Sequence, residues 1–395
     1  MKYKINVIYW QLILQIIFLC INVNITCFQS NDDTQTLDLP FTLTEFKEDQ
    51  SIPFSETAFV ILVNVCLGKP FQCGTYKFST HPSEVWVIQA EEGRGSSYLG
   101  TSGFSPYLSH SFSSKEVCHI LNTNGGVKGQ VSEDSIYLSF EMHSNLAYRY
   151  KNIQIDNFPF LLVYNKRKHR DGYYIGGLGF GYKYDISQYD ELNSLGFSLL
   201  ERLYAQGIIE QRIFSVNYRN NLIHIGNIPN IPIKKKTIKT CDLLQTSPEG
   251  EPNPKFQCTI NAIYIDTEHL IPINSRVTFS LGSKYIQVNN EIFEFIKEYY
   301  LKTQIATGIC KITVLYKVTF FECNDRFKIK ELPILSVIIG KWNIKLKNED
   351  LFYKNQLLIG KSNTKNKIVF GYPFMKQFLS VFNVERNSIS FMTYS

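Results

Sequence analysis

Phe78-Ser79-Thr80-His81-Pro82-Ser83-Glu84-Val85-Trp86-Val87 is the stretch on which the reading of this chain turns. An apolar run, Ala58 to Val65, leads into it through Leu67-Gly68-Lys69-Pro70-Phe71-Gln72. The pattern is strand, turn, strand, tight polar loop, then a short apolar run ending in Trp86-Val87. β-Branched and aromatic residues dominate the strand-like parts, as a pleated, half-buried surface requires.

Working outward, the chain keeps this character. It has 395 residues, too many for one ordinary core, so two lobes are expected. With 44% hydrophobic and 19% charged residues it reads as globular, and 29 Phe and 24 Tyr favour strands over helices. A net charge of +6 is mild for the length and is not a nucleic-acid signature, so no nucleic-acid partner is expected.

Lys2, Lys4 and the mostly apolar Val7 to Val23 read as a secretory signal, with residues 1–27 expected to be removed. No later apolar run approaches the ~20 residues of a membrane span, so no stable span is expected once the signal is gone. The nine cysteines include no CxxC pair, which argues against zinc. In an exported chain they point to disulfides. Residues 28–55, acidic and rich in turn residues, read as a short leader or linker. Residues 56–225 and 226–395 are expected to form an N-terminal and a C-terminal β lobe.

Within the first lobe, Ile120 to Leu138 reads as a hairpin with Gly125-Gly126 at its tip. Asn157 to Tyr164 is a further strand, Leu195 to Gln206 has helical spacing, and Ile213 to Asn217 with Leu222 to Gly226 form a strand pair. The second half repeats the outline. Val277-Thr278-Phe279-Ser280-Leu281-Gly282-Ser283 is a strand entering a polar loop, and Ile368-Val369-Phe370-Gly371 is its later glycine-punctuated partner. The duplication is one of pattern rather than residue identity.

These segments, in order, resemble those of the pepsin-like aspartic proteases. The matches run from Leu67-Gly68-Lys69-Pro70 through the Ser79 loop and Trp86-Val87 to Ile175-Gly176-Gly177-Leu178-Gly179-Phe180. They continue through Leu199 to Ile209, Ile213-Phe214-Ser215-Val216, the Ser280 loop, Leu332-Pro333, Ile339-Gly340 and Phe370-Gly371 to Phe382. The resemblance implies an all-β, bilobed acid-protease fold, with a cleft between two β-barrel-like lobes.

It also implies the chemistry that is in question. The family sets two aspartates face to face, where they share a proton because two like charges so close cannot both ionise. Laid on this chain without a gap, those positions fall on Ser79 and Ser280. No Asp-Thr-Gly or Asp-Ser-Gly occurs anywhere; Asp266-Thr267 is followed by Glu268, and Asp171-Gly172 and Asp325 are out of frame. A serine hydroxyl donates and accepts hydrogen bonds but does not titrate as a carboxyl does. The resemblance therefore implies an exported, catalytically silent relative, with an active aspartic endopeptidase as the alternative. Thr80, Ser83, Asn122, Gly282 and Ser283 are the expected cleft residues, Asn122 standing where the family has its flap tyrosine. A peptide or protein is the expected ligand, and no cofactor or metal is implied. The acidic leader has the wrong sign for the family's usual basic pro-segment.

Other chemistries fit poorly. Ser79, His81 and Glu84 lie too close along one loop to align as a relay. Gly176 to Gly181 lacks the GxGxxG spacing of a dinucleotide site. His119 beside Cys118 has no partner at metal-ligand spacing, and Lys234 to Lys236 reads as a solvated turn. Among the cysteines, Cys310 and Cys323 bracket a hairpin much as a family bridge closes a loop in the second lobe. Cys241 with Cys258 is a second expected pair; Cys66, Cys73 and Cys118 stay open, a Cys66–Cys73 bridge being one arrangement.

Overall fold

A computed structural model describes residues 37–45, 59–80, 85–90, 103–121, 127–138, 153–163, 175–180, 198–229, 238–244, 256–266, 269–315, 318–362 and 368–394. The chain divides into Met1–Gln35 and Thr36–Ser395, and everything below belongs to the second unit. Its described residues are mostly strand, in a 13-stranded and a 10-stranded sheet.

The first half contributes β1 (Leu37–Glu45), β2 (Phe59–Leu67), β3 (Gln72–Ser79), β4 (Val85–Ile88), β5 (Ser113–Leu121), β6 (Val127–Leu138), β7 (Ile153–Val163) and β8 (Gly176–Gly179). Helix α1 (Leu199–Ala205) and the hairpin β9 (Ile213–Asn217) and β10 (Leu222–Ile225) follow. Leu199, Leu200 and Leu203 bury one face of α1, as their spacing predicts.

The second half opens with β11 (Ile238–Asp242), β12 (Gln257–Ile265), β13 (His269–Phe279) and β14 (Ile286–Val288). Helices α2 (Asn290–Tyr299) and α3 (Lys302–Ala306) come next. Asn289 caps α2 by accepting from the Ile292 N–H at 3.0 Å, which satisfies one of the helix's orphan donors. Then come β15 (Cys310–Leu315), β16 (Val318–Cys323), β17 (Leu335–Ile339), β18 (Trp342–Lys345), β19 (Phe352–Tyr353), β20 (Gln356–Lys361) and β21 (Ile368–Phe370). The short helix α4 (Tyr372–Met375) and the hairpin β22 (Phe378–Asn383) and β23 (Ser388–Thr393) close the chain.

The two halves pair their strands in the same way. In the first, β3 runs antiparallel to β2 and parallel to β8, β8 is antiparallel to β4, and β4 is parallel to β7, which continues antiparallel into β6 and β5. In the second, β13 runs antiparallel to β12 and parallel to β21, β21 is antiparallel to β14, and β14 is parallel to β20, which continues antiparallel into β16 and β15. The duplication expected from pattern is thus a duplication of topology.

The halves are joined by a shared stretch of sheet, β11-β23-β22-β9-β10-β1. Phe214 of β9 and Phe382 of β22 are buried there and stack on each other, and Phe256, just ahead of β12, packs against both.

Leu37–Glu45, inside the stretch read as leader or linker, is strand β1. Leu37, Leu39 and Phe41 point inward, alternating with Asp38 and Pro40, so the period of two was present in the sequence. Leu37 to Pro40 pair with β10, and Phe41 to Glu45 pair with β2. The handover falls at Pro40, which has no N–H to give a ladder, and the Phe41 N–H donates to the Asn221 carbonyl at 2.9 Å.

Among the described residues three disulfides form: Cys66–Cys73, Cys241–Cys258 and Cys310–Cys323. Cys310 and Cys323 are cross-strand partners of the β15–β16 hairpin. No described helix is long and apolar enough to cross a membrane.

Candidate functional site

Ser79 ends β3. The apolar residues Tyr76 and Phe78 alternate into the core, Ser79 is half-buried beside them, and Thr80 is buried. The Ser79 carbonyl accepts from the Phe180 N–H at 2.8 Å, which ties the loop's entrance to the end of β8. The glycines of β8 are there for close approach. A Cβ on Gly176 would stand 2.3 Å from the Trp86 carbonyl oxygen, and one on Gly177 would stand 2.3 Å from Trp86 Nε1. The Trp86 indole therefore packs against bare backbone, which fixes β4 beside the loop.

Ser280 follows β13 directly. Its N–H donates to the Phe370 carbonyl at 3.0 Å. The Ser283 hydroxyl donates to the Tyr285 carbonyl at 2.9 Å, and the Ser283 carbonyl accepts from the Tyr372 N–H at 2.8 Å. Ser283 is buried, so this hydroxyl is committed to holding its own loop. Gly371 passes so close that a Cβ there would lie 2.3 Å from the Ser283 carbonyl oxygen.

Strand register relates the two loops. Gly177 of β8 lies opposite Lys77 of β3 and Trp86 of β4. Val369 of β21 lies opposite Thr278 of β13 and Gln287 of β14. Lys77 thus corresponds to Thr278, and Ser79 to Ser280, each the same step beyond.

The second loop also meets the first half. The Phe59 carbonyl oxygen lies 3.9 Å from where a Gly282 Cβ would be. Tyr218, beyond β9, reaches the Leu281 carbonyl with its hydroxyl at 3.5 Å and packs edge-on against Phe41 and Tyr372. Burial pushes the Tyr218 hydroxyl's pKa far up, so it stays protonated.

Sequence reasoning missed the most charged feature here. Lys284, one residue past Ser283, has a buried ammonium paired with Glu45 at the end of β1 and donating to Gln356 Oε1 at 2.7 Å. The other Glu45 oxygen accepts from Lys354 Nζ at 3.0 Å. Lys354 and Asn355 take φ of +43° and +64° in the two-residue turn between β19 and β20, and this left-handed turn directs Lys354 toward Glu45. Burial pushes the Glu45 carboxyl up, but hydrogen bonds and charge from Lys284 and Lys354 outweigh it and hold the group below its ordinary value. The sequence signal was the acidic end of an alternating stretch, with no local clue to its partner.

The described carboxylates that draw notice lie outside the two loops. Asp134 is fully buried on β6, where it accepts from the Ser111 hydroxyl at 2.5 Å and the Ser135 N–H at 2.7 Å. Asp266, at φ +57°, accepts from the Tyr300 hydroxyl at 2.6 Å and the Ile334 N–H at 2.8 Å, as a turn fixture. Among the described residues no group of three or more His, Cys, Asp or Glu could hold a metal ion. Ser83 and Asn122, and with them His81 and Glu84, lie outside the described residues.

The profile of the eukaryotic aspartyl proteases matches residues 61–394. No curated protein matches the chain.

Proposed function

The chain belongs to the eukaryotic aspartyl protease family, and on that premise we propose that it is a non-catalytic member that binds an extended peptide between its serine loops. The observation that carries this reading is the register equivalence of Ser79 and Ser280. The family's reaction requires two acids sharing one proton, so that one accepts a proton from water while the other gives one to the peptide. General acid–base help of that kind is worth roughly 10² to 10⁴ in rate. Two hydroxyls hold a backbone or a water by hydrogen bonds and leave the proton shuttle without a carrier.

Thr80, Ser83, Asn122 and Gly282 are the remaining residues this reading assigns to the groove, with the buried Ser283 holding the loop that carries Ser280. The apolar Val7 to Val23 stretch and the three disulfides support export through an oxidising compartment.

The test is cleavage of a denatured protein at acid pH by the wild-type chain and by the Ser79→Asp/Ser280→Asp double variant. The expected result is no turnover by the wild type, with peptide binding that Ser79→Phe or Ser280→Phe weakens. Recovery of cleavage in the double variant would show that the acids alone were lost. Wild-type turnover blocked by a peptide mimic of the tetrahedral intermediate would establish the working endopeptidase instead.

A further inference from the structure

The ion cluster beside the second loop has the composition of a binding site that the chain fills with its own side chain. Lys284 is 7% exposed at its side chain, and its ammonium uses N–H donors on Glu45 and Gln356. The rings of Phe59 and Tyr353 lie 5.8 and 5.7 Å from that ammonium and wall the site with aromatic faces. A buried ammonium left alone is costly and loses its proton unless a counter-charge is supplied. Here the counter-charge comes from 239 residues earlier in the chain.

Two features set this cluster apart from a closed structural ion pair. Glu45 faces two ammoniums, Lys284 and Lys354, so the site keeps a net positive charge. The Glu45 side chain is 23% exposed and that of Lys354 is 67% exposed, so one side opens to water. Glu45 is the last residue of β1, and turning its side chain away would leave the β1 ladder intact.

We propose that Lys284, held in place by Gln356 Oε1, and Lys354 form a carboxylate subsite that takes a Glu or Asp side chain of the bound peptide, with Glu45 as its resident internal competitor. This rests on the peptide-binding reading above. Lys284 follows Ser280 by four positions, so the two Cα atoms are at most about 15 Å apart. A peptide lying over Ser280 therefore reaches the subsite within about five extended residues. An anionic side chain is selected because a neutral one would leave the excess ammonium charge unpaired in a partly dry site.

The experiment uses a set of octapeptides made in pairs that differ only by Glu or Gln at one position, titrated against the full chain. The wild type is expected to prefer the Glu member of at least one pair. Glu45→Gln removes the competitor and is expected to tighten the Glu peptide about tenfold, with little change for its Gln partner. Lys284→Met paired with Glu45→Gln removes both charges at similar volume, a replacement that folds tolerate; it is expected to abolish the preference, with folding checked by circular dichroism. If the members of every pair bind equally in the wild type and in Glu45→Gln, the subsite is overturned while peptide binding stands. If no peptide binds either protein, the peptide-binding reading itself fails, and the subsite with it.

Discussion

Phe214 of β9 and Phe382 of β22 stack face to face, with ring centroids 4.6 Å apart and planes 6° from parallel. One ring comes from each half of the chain, and both are fully buried in the sheet that joins the halves. Phe256 closes on both from the side, at 5.9 and 4.7 Å. Phe382→Ala is therefore expected to cost about 3–5 kcal/mol, the range for emptying a buried aromatic site. Urea unfolding followed by far-UV circular dichroism measures it. A loss below about 1 kcal/mol would mean that the seam does not depend on this stack.

Gly177→Ala puts a methyl group where Trp86 Nε1 stands 2.3 Å away. The indole has to shift off the β8 backbone. A destabilisation of about 1–3 kcal/mol is expected, as for other overpacked sites. Trp86 emission is expected to move to longer wavelength as its packing opens; an unchanged spectrum and midpoint would contradict the close approach.

Glu45 gives the fold an acid-sensitive contact. Its carboxyl is held below its ordinary value of 4.5, so its contribution to stability is present above that value. That contribution is lost as pH falls through the lower, folded-state value. Acid unfolding curves of wild type and Glu45→Gln are expected to differ near neutrality and to converge at the acid end. Parallel curves across the whole range would remove Glu45 from the account.

The Cys310–Cys323 bridge spans 13 residues and pins cross-strand neighbours of one hairpin. Replacing both cysteines by serine is expected to lower stability by about 3 kcal/mol, on the loop-closure argument. Thermal unfolding against concentration of reductant provides the check, because the serine variant should lose this bridge's share of the reductant response.

Much of this protein was legible in the chain itself. Apolar alternation and glycine placement are local properties, and they identified the strands entering both loops and the α1 helix. The Cys310–Cys323 pair was equally readable, because its hairpin is a short-range feature. Strand β1 was legible but masked: its Leu37-Leu39-Phe41 alternation was outweighed by neighbouring Asp and Glu residues.

Tertiary structure alone decided what depends on distant parts of the chain meeting. The resemblance had set Ser79 and Ser280 at matching positions, and hydrogen-bond register between strands far apart in sequence puts them at the same step of the two halves. The Glu45–Lys284 pair joins residues whose own neighbourhoods give no hint of each other, because a carboxylate's partner is chosen by where folding delivers a buried ammonium. Local sequence sets which segments are strands; the long-range packing of those strands sets which charges must be neutralised together.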